Sequence, residues 1–156
     1  MNINNKERSR KISRVLSGII ILYLTALAAF AYYEQYLGVG VVFTIAVFSI
    51  LFFRIIDFQY IELTDELGII ELKYYSINPF QKREYNAFRF SSDRLEKAEI
   101  KSQLGGLLAQ LEITVLTEVG PATYPPVSIS GVKKTDRLTI LKYLKEVISQ
   151  NLTRFN

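Results

Sequence analysis

The sequence predicts an α+β protein in which an N-terminal transmembrane α-hairpin precedes an antiparallel β-sandwich or barrel, capped by a C-terminal amphipathic helix. Three observations support this fold class. Two long uncharged runs lie near the N-terminus, short β-rich segments with turn signals follow them, and apolar residues at helical spacing end the chain. We expect a basic segment over residues 1–14, a membrane hairpin over residues 15–56 and a separate domain over residues 57–156.

The first element is the membrane hairpin. Val15–Tyr33 contains nineteen residues without a charge, and Leu37–Phe53 contains another seventeen. A helix rises about 1.5 Å per residue, so each run roughly matches a ~30 Å hydrocarbon core. The short break at Glu34–Tyr36 requires the two helices to return antiparallel. Since neither run contains Asp, Glu, Lys or Arg, we do not expect this chain to transport ions or protons by itself.

The flanking charges predict the orientation of the hairpin. Arg10, Lys11 and Arg14 precede the first run and Arg54 follows the second, whereas the connection holds only Glu34. Lys and Arg concentrate on the cytoplasmic side of short flanks, so we expect a multi-pass inner-membrane protein with both termini in the cytoplasm. Aromatic side chains favour the opposite, outer interface, where three tyrosines are expected: Tyr32, Tyr33 and Tyr36.

Two alternative readings concern the N-terminus. The basic start and the small residues around Ala29–Ala31 also fit a cleaved signal peptide, but the apolar run is longer than the usual core of about 7–15 residues. The basic segment could also bind anionic lipid head groups, although setting the topology is the simpler explanation.

Composition excludes several classes of function. The chain has no Cys and no His, which excludes disulfides, metal sites built on these residues and His acid–base chemistry. The net charge of +4 lies in residues 1–56, where six Lys and Arg residues face two Glu, while residues 57–156 are neutral. A neutral domain gives no electrostatic signal for nucleic acid, and no cofactor is predicted.

The domain after the hairpin is predicted to be mainly strands. Alternating or β-branched segments bounded by turn residues predict strands at five places: Phe58–Leu63, Ile69–Tyr75, Glu84–Phe90, Ala109–Val115 and Val127–Ser130. Asp65–Gly68 is expected to form the first turn. Residues 92–104 remain open, because Asp93 and Glu96 fit a helical capping box whereas Ala98 and Ile100 alternate as in a strand.

The chain ends in a predicted amphipathic helix. Thr135 or Asp136 can cap its N-terminus. The apolar residues that would form its buried stripe recur at spacings of three and four: Leu138, Leu141, Leu144, Ile148 and Leu152.

This order of elements resembles the bacterial pleckstrin-homology-like (PH-like) domains. The residues that carry the resemblance are Tyr60–Ile70, with its Leu-Thr-x-x-x-Gly turn, Phe90–Ile100 and Val127–Gly131. The resemblance implies a bent seven-strand sheet plugged at one end by a C-terminal helix, and a tether of two membrane helices. Another membrane-tethered α+β domain is the alternative.

Candidate binding residues lie in the turns of this domain. PH domains that bind inositol phosphates use Lys and Arg around the first strand turn, where this chain has Asp65 and Glu66. The resemblance therefore implies no specific lipid head-group recognition. Residues of the following turn are the candidates for binding a partner: Asn78, Phe80, Lys82 and Arg83.

No catalytic or metal-binding residues are predicted. The nearest carboxylate pairs, Asp65 with Glu66 and Glu96 with Glu99, lie in charged stretches that are expected to be exposed. Aromatic residues such as Tyr60, Tyr75 and Phe88 fit a β core better than an interface, although both uses are open.

These observations predict a non-enzymatic, membrane-anchored interaction or scaffolding protein that presents a PH-like domain at the cytoplasmic face. An exposed strand edge or the loop around residues 78–83 would bind an unknown protein partner. The alternative is a small accessory subunit that docks into a larger transporter or enzyme through its transmembrane helices.

Overall fold

In the computed structural model, which describes residues 2–79 and 83–154, two long apolar helices precede two antiparallel sheets and a C-terminal helix. The elements in chain order are β1 (Asn2–Asn4), α1 (Lys6–Tyr32), α2 (Tyr36–Ile56), β2 (Gln59–Glu66), β3 (Ile69–Ser76), β4 (Asn86–Ser91), β5 (Leu95–Gln103), β6 (Leu108–Thr117), β7 (Gly120–Thr123), β8 (Val127–Ser128) and α3 (Lys134–Arg154). The α+β class is confirmed.

Helices α1 and α2 are each long and apolar enough to cross a membrane. Their large side chains point outward, with Leu22 66% and Phe48 68% exposed, which differs from the buried core helix of a soluble protein. The two helices pack antiparallel through a 2.8 Å hydrogen bond between Tyr23 and Ser49. Helix α1 begins at Lys6, so about two helical turns extend beyond the predicted apolar run.

The first sheet has the strand order β1-β2-β3-β4. Strand β1 was not predicted; it pairs antiparallel with β2, and Ile3 lies opposite Leu63. Strands β2 and β3 form the predicted hairpin, whose turn residues Leu67 and Gly68 have φ angles of 54° and 77°. Positive φ at both central residues is typical of a type I′ turn, which matches the twist of the strands.

The second sheet contains β5, β6 and β7, with β8 also paired to β6. Along β6, Ala109, Leu111, Ile113 and Val115 are buried and alternate with half-exposed residues, which confirms the alternation predicted for this strand. The open question over residues 92–104 is also answered. A single 3-10 turn over Ser92–Arg94 leads directly into β5.

The inner faces of both sheets share one hydrophobic core. Phe88 on β4 stacks on Tyr124 after β7 with ring centroids 4.4 Å apart, and α3 adds Ile140 and Leu144. The described residues form two separate four-stranded sheets, and these do not close into a barrel.

Helix α3 buries a different stripe from the predicted one. Leu144 is buried as expected, but Leu138 and Leu152 are 60% and 64% exposed. Of the other predicted residues, Leu141 and Ile148 are half-buried, and the buried positions of the helix are Ile140, Leu144, Val147 and Asn151.

Polar anchors at the two ends of α3 fix its rotation on the sheet. The Arg137 guanidinium donates to the carbonyl oxygens of Gly106 and Ser130, both at 2.8 Å. The Asn151 amide donates to the carbonyls of Ser92 and Leu95 at 2.8 and 3.1 Å. With both ends held in this way, Leu138 and Leu152 cannot turn towards the core.

Candidate functional site

The predicted topology and interface residues lie where the structure leaves them exposed. Tyr32, Tyr33 and Tyr36 are 70–81% exposed at the connection between the two apolar helices. Arg54 is exposed in the last turn of α2. These residues therefore lie at the two ends of the hairpin, and none of them lines a cavity described below.

The predicted partner-binding residues are divided by the structure. Asn78 is buried just after β3, and Arg83 is exposed before β4. Phe80 and Lys82 lie outside the described residues. Arg83, but not Asn78, faces a cavity together with Arg10 and Arg14 of α1.

The position of α1 is fixed by hydrogen bonds between Asn5 and strand β2. The Asn5 backbone N–H donates to the Ile61 carbonyl at 3.3 Å, and the Ile61 N–H donates to Asn5 Oδ1 at 2.9 Å. Asn5 Nδ2 also donates to the Gln59 carbonyl at 3.0 Å. Asn5 therefore continues the pairing of β1 with β2, and its side chain forms hydrogen bonds with β2 instead of capping α1.

The other helix is tied to the same region. Asp57 ends α2 in the left-handed conformation, with φ 44°, and accepts hydrogen bonds from Gln59 Nε2 at 2.5 Å and Ser76 Oγ at 3.2 Å. Ser128 Oγ donates to the Ile56 carbonyl at 3.3 Å. Both helices thus leave the β domain from one corner, at the start of β2 and the end of β3.

A cavity of about 600 Å³ lies at this corner, which we call the basic cavity. Its walls are the first turns of α1, the start of β2, the end of β3 and the segment that leads into β4. The described residues that line it are Lys6, Ser9, Arg10, Ser13, Arg14, Tyr60, Tyr75, Ile77 and Arg83. Four of them are cations and none is a carboxylate.

The spacing of the helical residues explains why the cations converge. Lys6, Arg10 and Arg14 are four residues apart, so they lie on one face of α1. Like charges at this spacing destabilise an isolated helix by roughly 0.2–0.5 kcal/mol per pair. Each ion pair among the described residues uses another lysine, so none of these three cations forms an ion pair with a described carboxylate.

Ser9 gives the basic cavity a buried polar group. It is 4% exposed, and its hydroxyl has no hydrogen-bond partner among the described residues. A buried hydroxyl without a partner is uncommon in folded proteins and costs roughly 1–3 kcal/mol. Ser9 lies one residue before Arg10 and lines the same cavity.

The other face of α1 has mixed charge. Arg8 and Lys11 line a smaller cavity of about 330 Å³ together with Lys133, and Glu7 and Asp136 supply two carboxylates there. The two faces of the same short segment therefore differ in net charge although both are rich in Lys and Arg.

Three tyrosines form a partly exposed aromatic surface on the outer side of the first sheet. Tyr60 stacks on Tyr75 with centroids 4.8 Å apart, and Tyr75 contacts Tyr85 at the same distance. Burial and a hydrogen bond to Glu62 raise the pKa of Tyr60 to about 12, so its phenol stays neutral. These rings also line a groove of about 290 Å³ beside the basic cavity. Phe88 and Tyr74 contact the core instead, so the aromatic residues divide between the two uses.

The carboxylate pairs of the sequence occupy ordinary structural positions. Asp65 accepts a hydrogen bond from the Tyr143 hydroxyl of α3, which holds the helix against β2. Glu99 pairs with Lys97 at 2.9 Å on the surface of β5. Over residues 2–79 and 83–154 there is no group of three or more acidic side chains that could hold a metal ion.

Several lining residues were not predicted as site residues: Lys6, Ser9, Ser13, Tyr60 and Tyr75. The signal for the first three is the recurrence of polar residues at positions 6, 9, 10, 13 and 14, which is visible once the helix is extended to Lys6. The two tyrosines have no such signal, because their approach to α1 depends on the pairing of Asn5 with Ile61. Comparison of the chain with family models, with curated proteins and with solved structures found no match.

Proposed function

We propose that this chain is a multi-pass inner-membrane protein, non-enzymatic in role, that presents a PH-like β domain to a protein partner at the cytoplasmic face. The two apolar helices form the anchor. The excess of Lys and Arg beside them, with Arg54 after α2 and Arg14 before the apolar part of α1, supports cytoplasmic termini.

The observation that carries the interaction role is the aromatic surface of Tyr60, Tyr75 and Tyr85, of which Tyr85 is exposed and the other two are half-buried. Tyr75 contacts the rings of both Tyr60 and Tyr85 outside the core. Despite this contact, Tyr85 remains 76% exposed. Tyrosine is enriched at protein interfaces, because its ring supplies apolar area and its hydroxyl supplies a hydrogen bond. Asn5 and Asp57 hold this surface at a fixed position relative to both helices.

Site-specific photocrosslinking in cells tests the interaction role. A photoreactive amino acid at Tyr85 should give one crosslinked product of discrete mass, because this position lies on the proposed contact surface. The matched control is Val119, which is 99% exposed and lies at the turn between β6 and β7. Equal product patterns from both positions, or none from Tyr85, would contradict the role.

Anchoring and orientation have their own test. The full chain should stay with the membrane after alkaline carbonate extraction, and a reporter that is active only in the cytoplasm should work when fused after Asn156. Activity of an exclusively periplasmic reporter at that position would reverse the orientation that we propose.

A second candidate, an accessory subunit of a larger membrane complex, has support from the surface of the hairpin. Gly38 contacts Phe30 within the hairpin, and a Cβ there would lie 2.7 Å from the ring. Gly18 and Gly40 instead have no atom within 4 Å of such a Cβ, so they leave room for another helix to approach. If Gly40→Leu releases a co-purifying complex and Tyr85→Ala does not, the accessory role is favoured.

A further inference from the structure

We propose that the basic cavity binds the phosphate of one anionic phospholipid head group. The site consists of Arg10, Arg14 and Lys6 from α1, Arg83 from the connection before β4, and the Ser9 hydroxyl. The proposal rests on the membrane anchoring proposed above, but it needs neither a protein partner nor a particular orientation of the chain.

The charge of the cavity selects an anion. Four cationic side chains line a space of about 600 Å³, and its described walls contribute no carboxylate. Arg and Lys are the side chains that proteins use for phosphate oxygens, because their N–H groups donate charge-assisted hydrogen bonds. An anion between Lys6, Arg10 and Arg14 would also relieve the repulsion along α1.

The cavity has features of a built site as well as a concentration of charge. Ser9 is 96% buried at its wall and its hydroxyl has no partner among the described residues, so it is free to donate to an oxygen of the ligand. Arg83 is 69 positions from Arg14 in the sequence, and the fold brings them to one space. Tyr60 and Tyr75 complete the wall with half-buried rings.

The position of the cavity favours a lipid over a soluble phosphate. Arg14 lies directly before Val15, where the uncharged run begins. The helix from Lys6 to Arg14 is about 12 Å long, and the head-group region on each side of a bilayer is roughly 5–7 Å deep. If α1 crosses the membrane, the cavity starts at the level of the lipid phosphates and extends a few ångströms beyond them.

This proposal departs from the expectation that the domain recognises no lipid head group. That expectation concerned the first strand turn; Asp65 and Glu66 prove to be the last residues of β2, directly before the turn residues Leu67 and Gly68. The basic cavity is at the other end of the β2–β3 hairpin, next to the helices, and uses different residues.

Native mass spectrometry of the full-length protein provides the test. The protein is released from micelles that contain equal amounts of phosphatidylglycerol and phosphatidylcholine, which share a phosphodiester and differ in net charge. We expect one phosphatidylglycerol to be retained at least tenfold more often than phosphatidylcholine. Arg83→Gln and Arg10→Gln should each lower its affinity about tenfold, because each removes a charged hydrogen-bond donor.

Two controls separate a built site from general attraction. Lys11→Gln and Arg8→Gln remove the same charge from the other face of α1, outside the basic cavity, and should change retention less than twofold. Ser9→Ala should lower retention about threefold without lowering the thermal stability of the lipid-free protein, because the hydroxyl that it removes has no partner.

Three outcomes would overturn the proposal. The first is equal retention of the two lipids by the unmodified protein, and the second is equal loss in the cavity and control variants. The third is displacement of phosphatidylglycerol by millimolar inorganic phosphate, which would identify a soluble phosphate as the ligand. Failure of the Tyr85 crosslink would instead contradict only the proposed function, and release of the chain by alkaline carbonate would contradict the anchoring on which both proposals rest. Loss of lipid selectivity in a chain that stays anchored is therefore a separate, distinguishable failure.

Discussion

The first and last helices both lie against the β domain, but with opposite chemistry. Their buried or half-buried positions recur at the same intervals: Asn5, Ser9, Ile12 and Leu16 at the N-terminus, and Ile140, Leu144, Val147 and Asn151 at the C-terminus. Apolar side chains fill most of this stripe in α3, whereas polar ones fill the first half of it in α1. The start of α1 is therefore positioned by hydrogen bonds, and α3 is positioned mainly by hydrophobic packing.

The difference has a consequence for what each helix can present to solvent. Hydrogen bonds are directional, so the pairing of Asn5 with Gln59 and Ile61 fixes the rotation of α1 as well as its distance from the sheet. That rotation aims Arg10 and Arg14 at the basic cavity. Helix α3 needs polar anchors at its ends to fix its rotation, since an apolar stripe alone would permit several rotations.

The largest expected effect comes from breaking the apolar attachment. Leu144→Ala should lower the free energy of unfolding by about 3 kcal/mol, because Leu144 is fully buried and its loss leaves a cavity. Leu138→Ala is the matched control on the exposed side of the same helix and should change it by less than about 0.5 kcal/mol. Denaturant unfolding of the full chain in detergent measures both. Equal effects would mean that α3 uses the stripe predicted from the sequence.

Breaking the polar attachment of α1 to β2 should lower the free energy of unfolding by a smaller but still measurable amount. Asn5→Ala leaves the buried Ile61 N–H without its acceptor and should cost about 2 kcal/mol. Hydrogen exchange should accelerate at Ile61. Asn4→Ala serves as the control, since Asn4 is exposed and its side chain makes only a 3.4 Å contact with the Lys6 N–H. If Asn5→Ala is as mild as the control, the corner between α1 and β2 is held by something else.

The sequence was sufficient for the elements whose pattern is long and regular. The two uncharged runs predicted the apolar helices, and strict alternation predicted β6, since burial on one face of a strand requires a period of two. Strand β1 was not predicted because its three residues, Asn2-Ile3-Asn4, are too few to establish such a period. For α3, the spacing was correct and the phase was wrong, because Leu138 and Ile140 both begin apolar stripes and only tertiary contacts choose between them.

The candidate site was predictable only in part. Arg10, Arg14 and Arg83 were singled out from the sequence, but as topology signals and as a loop contact rather than as neighbours. Their convergence depends on the pairing of Asn5 with Ile61, which joins positions 56 residues apart. Local patterns contain no information on such a pairing, so the cavity could not be derived before the fold was known.

A smaller effect should distinguish the two faces of α1 by sign. Arg10→Gln should raise the free energy of unfolding by about 0.3 kcal/mol in a neutral detergent, because it removes two like-charge pairs, with Lys6 and Arg14, and one opposite-charge pair, with Glu7. Glu7→Gln should lower it by about 0.5 kcal/mol, because Glu7 lies three residues before Arg10 and four before Lys11. Both changes should shrink at high salt. The same sign in both variants would remove the electrostatic contrast between the faces.

A further small effect is expected as a pH dependence at the wall of the basic cavity. Burial and the bond to Glu62 raise the pKa of Tyr60 to about 12, above the value near 10 of an unfolded tyrosine. The contribution of Tyr60 to the free energy of unfolding is therefore complete below pH 10. It is lost as the pH rises towards 12, since the unfolded chain loses the proton first.

Comparing Tyr60→Phe with the unmodified protein isolates this contribution, because the lysines titrate in the same way in both. The variant should be less stable by under about 1 kcal/mol at neutral pH, because Glu62 loses its donor, and the deficit should shrink between pH 10 and 12. Parallel stability curves over that range would mean that the Tyr60 phenol is as solvated as an unfolded one. The wall of the basic cavity would then be open to water, and its cations would be screened by solvent instead of being available to one bound anion.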